Sequence, residues 1–199
     1  MTTLIVGLGN PGRRFHETRH NLGFLAVDAL AGVLGADWRK AGNGTLLLAE
    51  ARRGHHRVLL AKPQTFMNRS GPPVASLVRA KRLPLLRLWV VVDDLDLPFG
   101  RLRLRERGSS GGHHGLDSLV TALGSNAFPR LRIGIGPAHK PGRFDGAAYV
   151  LQRLSANGRN LLPAIIQSAA DALLRGLDDG FPAAMNAFNV KGERQPRDS

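Results

Sequence analysis

Leu88-Trp89-Val90-Val91-Val92 carries an apolar side chain at every position and then runs into Asp93-Asp94-Leu95-Asp96. A strand with one wet face alternates between apolar and polar residues. One without alternation has to be covered on both faces. This segment therefore asks for a sheet sandwiched between two further layers. Residues 4–8 read as a second buried strand. From Leu22 the period changes, and Leu22, Leu25, Ala26, Ala29, Leu30, Val33 and Leu34 keep helical spacing up to Gly35, a residue suited to ending a helix. Residues 45–51 and 57–61 read as two strands joined at Gly54-His55-His56. Ser70 is placed to cap a short helix carrying Val74, Leu77 and Val78. Arg101-Leu102-Arg103-Leu104-Arg105 alternates, which predicts a half-exposed strand with an arginine face.

A glycine-rich loop over 108–115 should lead to a helix over 116–123 and a strand over 131–136. Residues 161–177 repeat apolar side chains at helical spacing, with Pro163 expected in the first turn. Strands and helices alternating in this way predict an α/β fold: one three-layer α/β/α domain over 1–190 with a mixed, mostly parallel twisted sheet. A polar tail is expected over 191–199. The basic, Pro/Gly-bearing stretch 137–146 is expected to act as a mobile lid. In such sheets sites form at the carboxyl ends of strands, which directs attention to Asn10, Asn68, Asp93 and His114.

The charge balance narrows the partners. There are 28 Lys and Arg against 15 Asp and Glu, a net +13. Such a surplus attracts polyanions, nucleic acid first among them, although an arginine-rich genome gives basic proteins with no such role. The few aromatic residues argue against base stacking along a single strand and favour recognition of a folded RNA by shape and phosphate. The chain has no cysteine, which excludes disulfides and thiol nucleophiles. Neither a signal peptide nor a membrane span is legible, and a cytoplasmic protein is expected.

Gly7-x-Gly9-x-x-Gly12 after the first strand fits a dinucleotide-binding fingerprint. The following residues, Arg13 to Arg19, are mostly polar and do not open an apolar-periodic helix. The loop is therefore read as a support that displays Asn10 and His20. His20 can take a proton near neutral pH. Asp93 could accept an imidazole N–H and fix the tautomer. Asn10 and Asn68 could offer amide donors to a carbonyl oxygen gaining charge. The serines lie outside any nucleophile elbow, so water is the more economical nucleophile. Each residue also has a structural alternative: His20 as a capping or packing residue, the asparagines as turn formers, Phe66 and Met67 as packing. Adjacent His113 and His114 diverge on an extended chain, and no metal site is expected.

Several segments together resemble the bacterial-type peptidyl-tRNA hydrolases. They are Gly7-Leu8-Gly9-Asn10-Pro11-Gly12, Thr18-Arg19-His20-Asn21, Thr65-Phe66-Met67-Asn68-x-Ser70-Gly71, Asp93-Asp94-Leu95-Asp96-Leu97-Pro98-x-Gly100, Gly111-Gly112-His113-x-Gly115-Leu116, residues 130–136, and Ala184-Met185-Asn186-x-Phe188-Asn189. They follow one another in order over almost the whole chain. The resemblance implies hydrolysis of the ester between a peptide and the 3′ end of tRNA, which rescues tRNA from stalled or aborted translation. It implies no metal or organic cofactor, no obligate protein partner and a monomer.

By position, the resemblance makes His20 the base that activates water, Asp93 its support, and Asn10 the sensor of the blocked α-amino group. Phe66, Met67 and Asn68 would line the site for peptide and acceptor end. Arg105 and Arg132 would hold the tRNA 5′-phosphate. Phe15 stands where the family usually has tyrosine, and His114 where it usually has a tRNA-binding asparagine. His114 lends some weight to a non-catalytic RNA-binding member of the same fold, whereas the presence of His20, Asp93, Asn10 and Asn68 speaks against it.

Overall fold

The computed structural model describes residues 1–137 and 144–189. Most of the expected lid and all of the expected 191–199 tail lie outside them. In chain order the elements are β1 (Thr2–Gly7), α1 (Leu22–Leu34), β2 (Arg39–Ala41), β3 (Leu46–Arg53), β4 (His56–Pro63), α2 (Gly71–Ala80) and β5 (Leu88–Pro98). Then come β6 (Leu102–Arg105), α3 (His114–Leu123), β7 (Arg130–Gly136), α4 (Gly146–Val150), α5 (Ala156–Asp179) and α6 (Phe181–Phe188). The sheet runs β2-β3-β4-β1-β5-β7-β6. Strands β4, β1, β5 and β7 are parallel, and the edge pairings β2–β3, β3–β4 and β6–β7 are antiparallel. The mixed, mostly parallel sheet between helical layers is the α/β/α fold read from the sequence.

Alternate residues of the central strands feed two separate cores. Ile5, Trp89 and Val91 pack with α1, α5 and α6 on one face, where the Trp89 and Phe181 ring centroids lie 5.0 Å apart. Leu4, Val6, Val90 and Val92 pack with α2, α3 and Phe128 on the other. Most of these side chains have no solvent exposure, and each such burial stabilises by roughly 1.5–3 kcal/mol before the entropy of ordering is counted. The non-alternating run at β5 is thus explained by cover on both sides.

The glycines of the opening loop serve helix packing. A Cβ at Gly7 would lie 2.2 Å from the Gly23 carbonyl oxygen, and one at Gly23 would lie 2.4 Å from that of Val91. Helix α1 can therefore lie directly on β1 and β5 because both surfaces lack a side chain at the crossing. Here the fingerprint is spent on helix–sheet contact, and the dinucleotide reading loses its physical basis.

Several element boundaries differ from expectation. Strand β5 continues past Asp93 to Pro98, with a register shift against β7 between Asp94 and Pro98. Ser70 occupies the cap position of α2 without making a side-chain cap bond. Its buried hydroxyl has no partner among the described residues, and Ser118 Oγ accepts the Gly71 N–H at 2.9 Å instead. Helix α5 begins at Ala156, capped by Ser155 Oγ, which accepts the Gly158 N–H at 3.0 Å. Pro163 therefore stands inside the helix and not in its first turn. Helix α3 begins at His114, two residues before its expected start, because the His113 ring caps it.

Candidate active site

Strand β4 lies on one side of β1 and β5 on the other, so the chain reverses across the sheet at β1. Loops at the carboxyl ends of these parallel strands splay apart there and leave a crevice. Asn10 follows β1, Met67 and Asn68 follow β4, and Asp93 lies within β5. His20 sits in a single 3₁₀ turn, Arg19–Asn21, leading into α1.

His20 and Asp93 form the centre. Asp93 is 2% exposed and His20 7% exposed. The His20 Nδ1 atom lies 2.9 Å from both Asp93 oxygens. Asp93 Oδ1 is also 3.1 Å from His113 Nε2. The tautomers follow from the remaining contacts. His113 Nδ1 accepts the backbone N–H of Gly115 at 3.1 Å and of Leu116 at 3.3 Å. That nitrogen cannot carry a proton, so neutral His113 bears its proton on Nε2 and donates it to Asp93. The carboxylate then accepts from His113 on one side and from His20 Nδ1–H on the other. His20 Nε2 is left as the basic nitrogen.

Burial disfavours charge on His20, but the negative charge and hydrogen bond of Asp93 outweigh it, holding the imidazole above its ordinary range. Burial likewise acts to raise Asp93. The facing histidines and their hydrogen bonds outweigh it and keep the carboxyl far below the usual carboxylate range.

Ligand atoms of His20, Asp93 and His113 lie within 4.8 Å of one another, near enough to share a cation. Their separations of 2.9–3.1 Å and the locked His113 tautomer suit donors turned on one acceptor.

Asn10 is fixed from three directions. Its backbone N–H donates to Asn21 Oδ1 at 2.8 Å, and its carbonyl accepts from Asn21 Nδ2 at 2.9 Å. Its own Oδ1 accepts the Met67 N–H at 2.8 Å. That last bond sets the amide orientation, since only the oxygen can accept from a backbone N–H. The Asn10 Nδ2 donor remains for the site.

The loops carrying these groups are tied down by the buried Arg19 and Arg130 and the partly buried Arg132. Arg130, 1% exposed, donates to the carbonyls of Gly108 and Asn126, each at 2.6 Å, and to those of Ser109 and Phe128. Burial, assisted by the charge of Arg132, pushes its guanidinium down to about 10. Arg132 Nη2 donates to Ser109 O at 2.6 Å, while its Nη1 pairs with Asp94 at 3.0 Å. These bonds fix the loop that delivers His113. On the other flank, Arg19 donates to Arg153 O at 2.9 Å and lies 4.2 Å from the Tyr149 ring centroid. The segment bearing α4 is thereby held against the turn that carries His20.

Two cavities meet at His20. One, of about 220 Å³, is lined by His20, Asp93, His113, His114 and Arg132. The other, of about 270 Å³, is lined by Asn10, His20, Phe66, Met67, Asn68 and His114. Phe66 is 54% exposed and Leu151 47% exposed. Both line the second cavity, where an exposed apolar pair suits a contact with substrate.

Thus His20, Asp93, Asn10, Phe66, Met67, Asn68, His114 and Arg132 converge. Arg105 does not reach His20. It is exposed on β6 and lines an adjoining basic cavity together with Arg132. Phe15 lines neither cavity around His20; its ring lies against the Arg14 guanidinium, 4.5 Å from centroid to carbon.

Sequence reasoning missed His113, Asn21, Arg19 and Arg130 as organisers of the site. For His113 the available signal was its place directly before an apolar-periodic helix, but histidine is not among the residues that ordinarily cap one.

Comparison with known proteins agrees with this architecture. The sequence profile of the peptidyl-tRNA hydrolase family matches residues 4–197. A peptidyl-tRNA hydrolase of Chloroflexus aggregans is 48% identical over 187 residues, covering 94% of this chain and 98% of the relative. One of Desulforudis audaxviator is 48% identical over 186 residues, covering 94% and 92%. The crystal structure of peptidyl-tRNA hydrolase from Acinetobacter baumannii superposes with a TM-score of 0.87 at 33% identity, covering 100% of this chain and 97% of that one. With its fold, its ordered motifs and this crevice in agreement, the chain belongs to the peptidyl-tRNA hydrolase family.

Proposed function

We propose that this chain hydrolyses the ester joining a peptide to the 3′ oxygen of tRNA, by water activated at His20, and so returns tRNA from aborted translation in the cytoplasm. One observation carries the reading. His20 Nδ1 is bound to Asp93 at 2.9 Å, which leaves Nε2 as the base in a cavity that Asn10, Phe66 and Asn68 also line.

In this reading, His20 Nε2 takes a proton from water as its oxygen bonds to the ester carbonyl carbon. Asp93 stabilises the imidazolium that forms. The carbonyl oxygen gains negative charge, which the Asn68 amide meets in this reading. As the carbon–oxygen bond breaks, the 3′ oxygen takes the proton from His20. The products are a peptide acid and tRNA with a free 3′ hydroxyl.

Asn10 Nδ2 donates to the carbonyl of the blocked α-amino group, which an unblocked aminoacyl-tRNA lacks. Phe66 and Met67 line the path of peptide and acceptor end, and His114 assists in placing tRNA. Arg105 and Arg132 hold the 5′-phosphate, and no metal or organic cofactor takes part.

The test is incubation with N-acetylaminoacyl-tRNA beside unblocked aminoacyl-tRNA, following acyl release. Cleavage of only the blocked substrate supports the reading. Tight tRNA binding without cleavage would replace it with the RNA-binding one.

A further inference from the structure

Four cavities adjoin one another across the crevice. The cavity at Asp93 shares Asp94, Gly111 and Arg132 with a cavity of about 290 Å³ beyond it. The cavity at Asn68 shares Asn10 with a groove of about 680 Å³, the largest of the four. The reacting centre, His20, lies between the two outer spaces. The outer spaces differ in charge. The first is lined by five basic residues, Arg103, Arg105, Arg107, Arg130 and Arg132, against Asp94 and Asp96. The groove beyond Asn10 has Arg13, Lys62 and Arg153 against Glu17 and Asp28. Within it, Lys62 Nζ donates to Asp28 at 2.5 Å and stands 4.3 Å from the Trp38 ring centroid. That cation is neutralised inside the wall and is poorly placed to draw a phosphate. Leu25 and Leu47 add apolar lining.

An ester of a peptide with tRNA has two arms leaving one carbonyl carbon in opposite directions. The polyphosphate arm belongs with the arginine-rich space. The polyamide arm carries little net charge and any side chains, so it suits a roomy, nearly balanced groove with mixed walls. We propose that the groove beyond Asn10, walled by Lys62, Asp28, Gln64 and Leu47, receives the substrate's peptide chain from the second residue outward. The proposal rests on the reading of His20 as the ester-cleaving centre. It explains how Asn10 can be a sensor and a threshold at once: its amide meets the first peptide carbonyl, and the chain passes over it into the groove. It also predicts that affinity grows with peptide length until the groove is filled.

Two substrates separate the proposal from the reading beneath it: N-acetylaminoacyl-tRNA, which ends at Asn10, and an N-acetylated tetrapeptidyl-tRNA, which extends past it. Leu47→Trp should narrow the groove and lower kcat/KM for the longer substrate by about tenfold, mostly through KM, while leaving the shorter within about twofold. Gln64→Ala gives the same comparison through a milder change should Leu47→Trp fail to fold. Equal effects on both substrates in the folded variant overturn the groove assignment. A wild-type protein that cleaves neither substrate overturns the ester-cleaving reading itself. An amide-linked tetrapeptidyl-tRNA analogue bearing a benzophenone on its distal residue provides a test on the unaltered chain. Cross-links to the segments around Leu25, Leu47 or Arg153 support the proposal, and cross-links confined to the β6 arginines refute it.

Discussion

Asn21 grips Asn10 by both backbone polar groups, accepting from its N–H at 2.8 Å and donating to its carbonyl at 2.9 Å. The loop after β1 and the turn before α1 are thereby locked at the point where Asn10 faces the site. In the proposed reaction this pair would fix a donor in advance of substrate binding, which is where a preorganised amide gains most of its effect. Asn21→Ala removes both bonds and leaves two buried backbone groups unpaired. Thermal or urea unfolding should show a loss of about 2–4 kcal/mol, at about 1–3 kcal/mol per orphaned group less any relaxation. Turnover of N-acetylaminoacyl-tRNA should fall more than tRNA binding does.

The pairing of His20 with Asp93 sets a pH dependence. Only unprotonated His20 can accept a proton from water, and its affinity for protons is raised above the ordinary imidazole range. The acid limb of kcat/KM should therefore lie above the value for a free histidine, with activity rising as pH climbs through it. Asp93→Asn removes the charge that raises His20. The limb should move down in pH while the plateau drops by roughly 10²-fold or more, as expected when the support of a catalytic imidazole is lost. An unmoved limb would mean that His20 is not the titrating base. Stability carries the matching sign. The His20–Asp93 contribution is fully present below the unfolded-state histidine value and is lost as pH rises through the higher folded value.

His113 has two duties that substitution can separate. Its Nδ1 caps α3 and its Nε2 donates to Asp93. His113→Ala should lose about 1 kcal/mol for the cap, with a further loss from the missing bond to a buried carboxylate. Asp93 would then turn more of its charge on His20, and the acid limb should move to higher pH. His113→Ser restores a good capping oxygen without reaching Asp93. It should recover part of the stability but leave the limb displaced; recovery of both would show that the cap alone matters.

Arg105 and Arg132 should behave differently despite lining one cavity. Arg105 is exposed on β6, so Arg105→Ala should weaken tRNA binding and reduce the slope of log K against log salt by about 1. Arg132 also holds Asp94 and the Ser109 carbonyl. Arg132→Ala should produce the same salt effect together with a measurable fall in Tm.

His114 lines both cavities at His20, where an asparagine would offer a shorter side chain of different shape. If His114 helps to place tRNA, His114→Asn should change KM for N-acetylaminoacyl-tRNA more than kcat. Equal KM values would show that His114 makes no contact with the acceptor end.

The layered fold was legible because a continuous apolar run at 88–92 and the helical spacing at 22–34 have few physical solutions. Helix α1 ends as read, at Gly35 with φ 63° in the left-handed region. The reading failed where a side chain from elsewhere took an expected bond, or where a cap further upstream started the helix. Ser118, 47 residues from Gly71, takes the bond expected of Ser70. Ser155 starts α5 two turns before Pro163.

The site divides in the same manner. The residue types and order of Asn10, His20, Asn68 and Asp93 were in the sequence, because the proposed proton transfer and amide donation call for those side chains. Which nitrogen of His20 is the base, and which way the Asn10 amide faces, were not. Those follow from Asp93 and Met67, whose carboxylate and backbone N–H arrive from distant segments to within 2.9 Å of His20 Nδ1 and 2.8 Å of Asn10 Oδ1. Sequence alone determined the layers, the basic charge surplus and the chemical groups on offer. Tertiary structure decided tautomer, orientation and the split between a cationic and a balanced side of the crevice, because each depends on atoms brought together only when the sheet closes around β1 and β5.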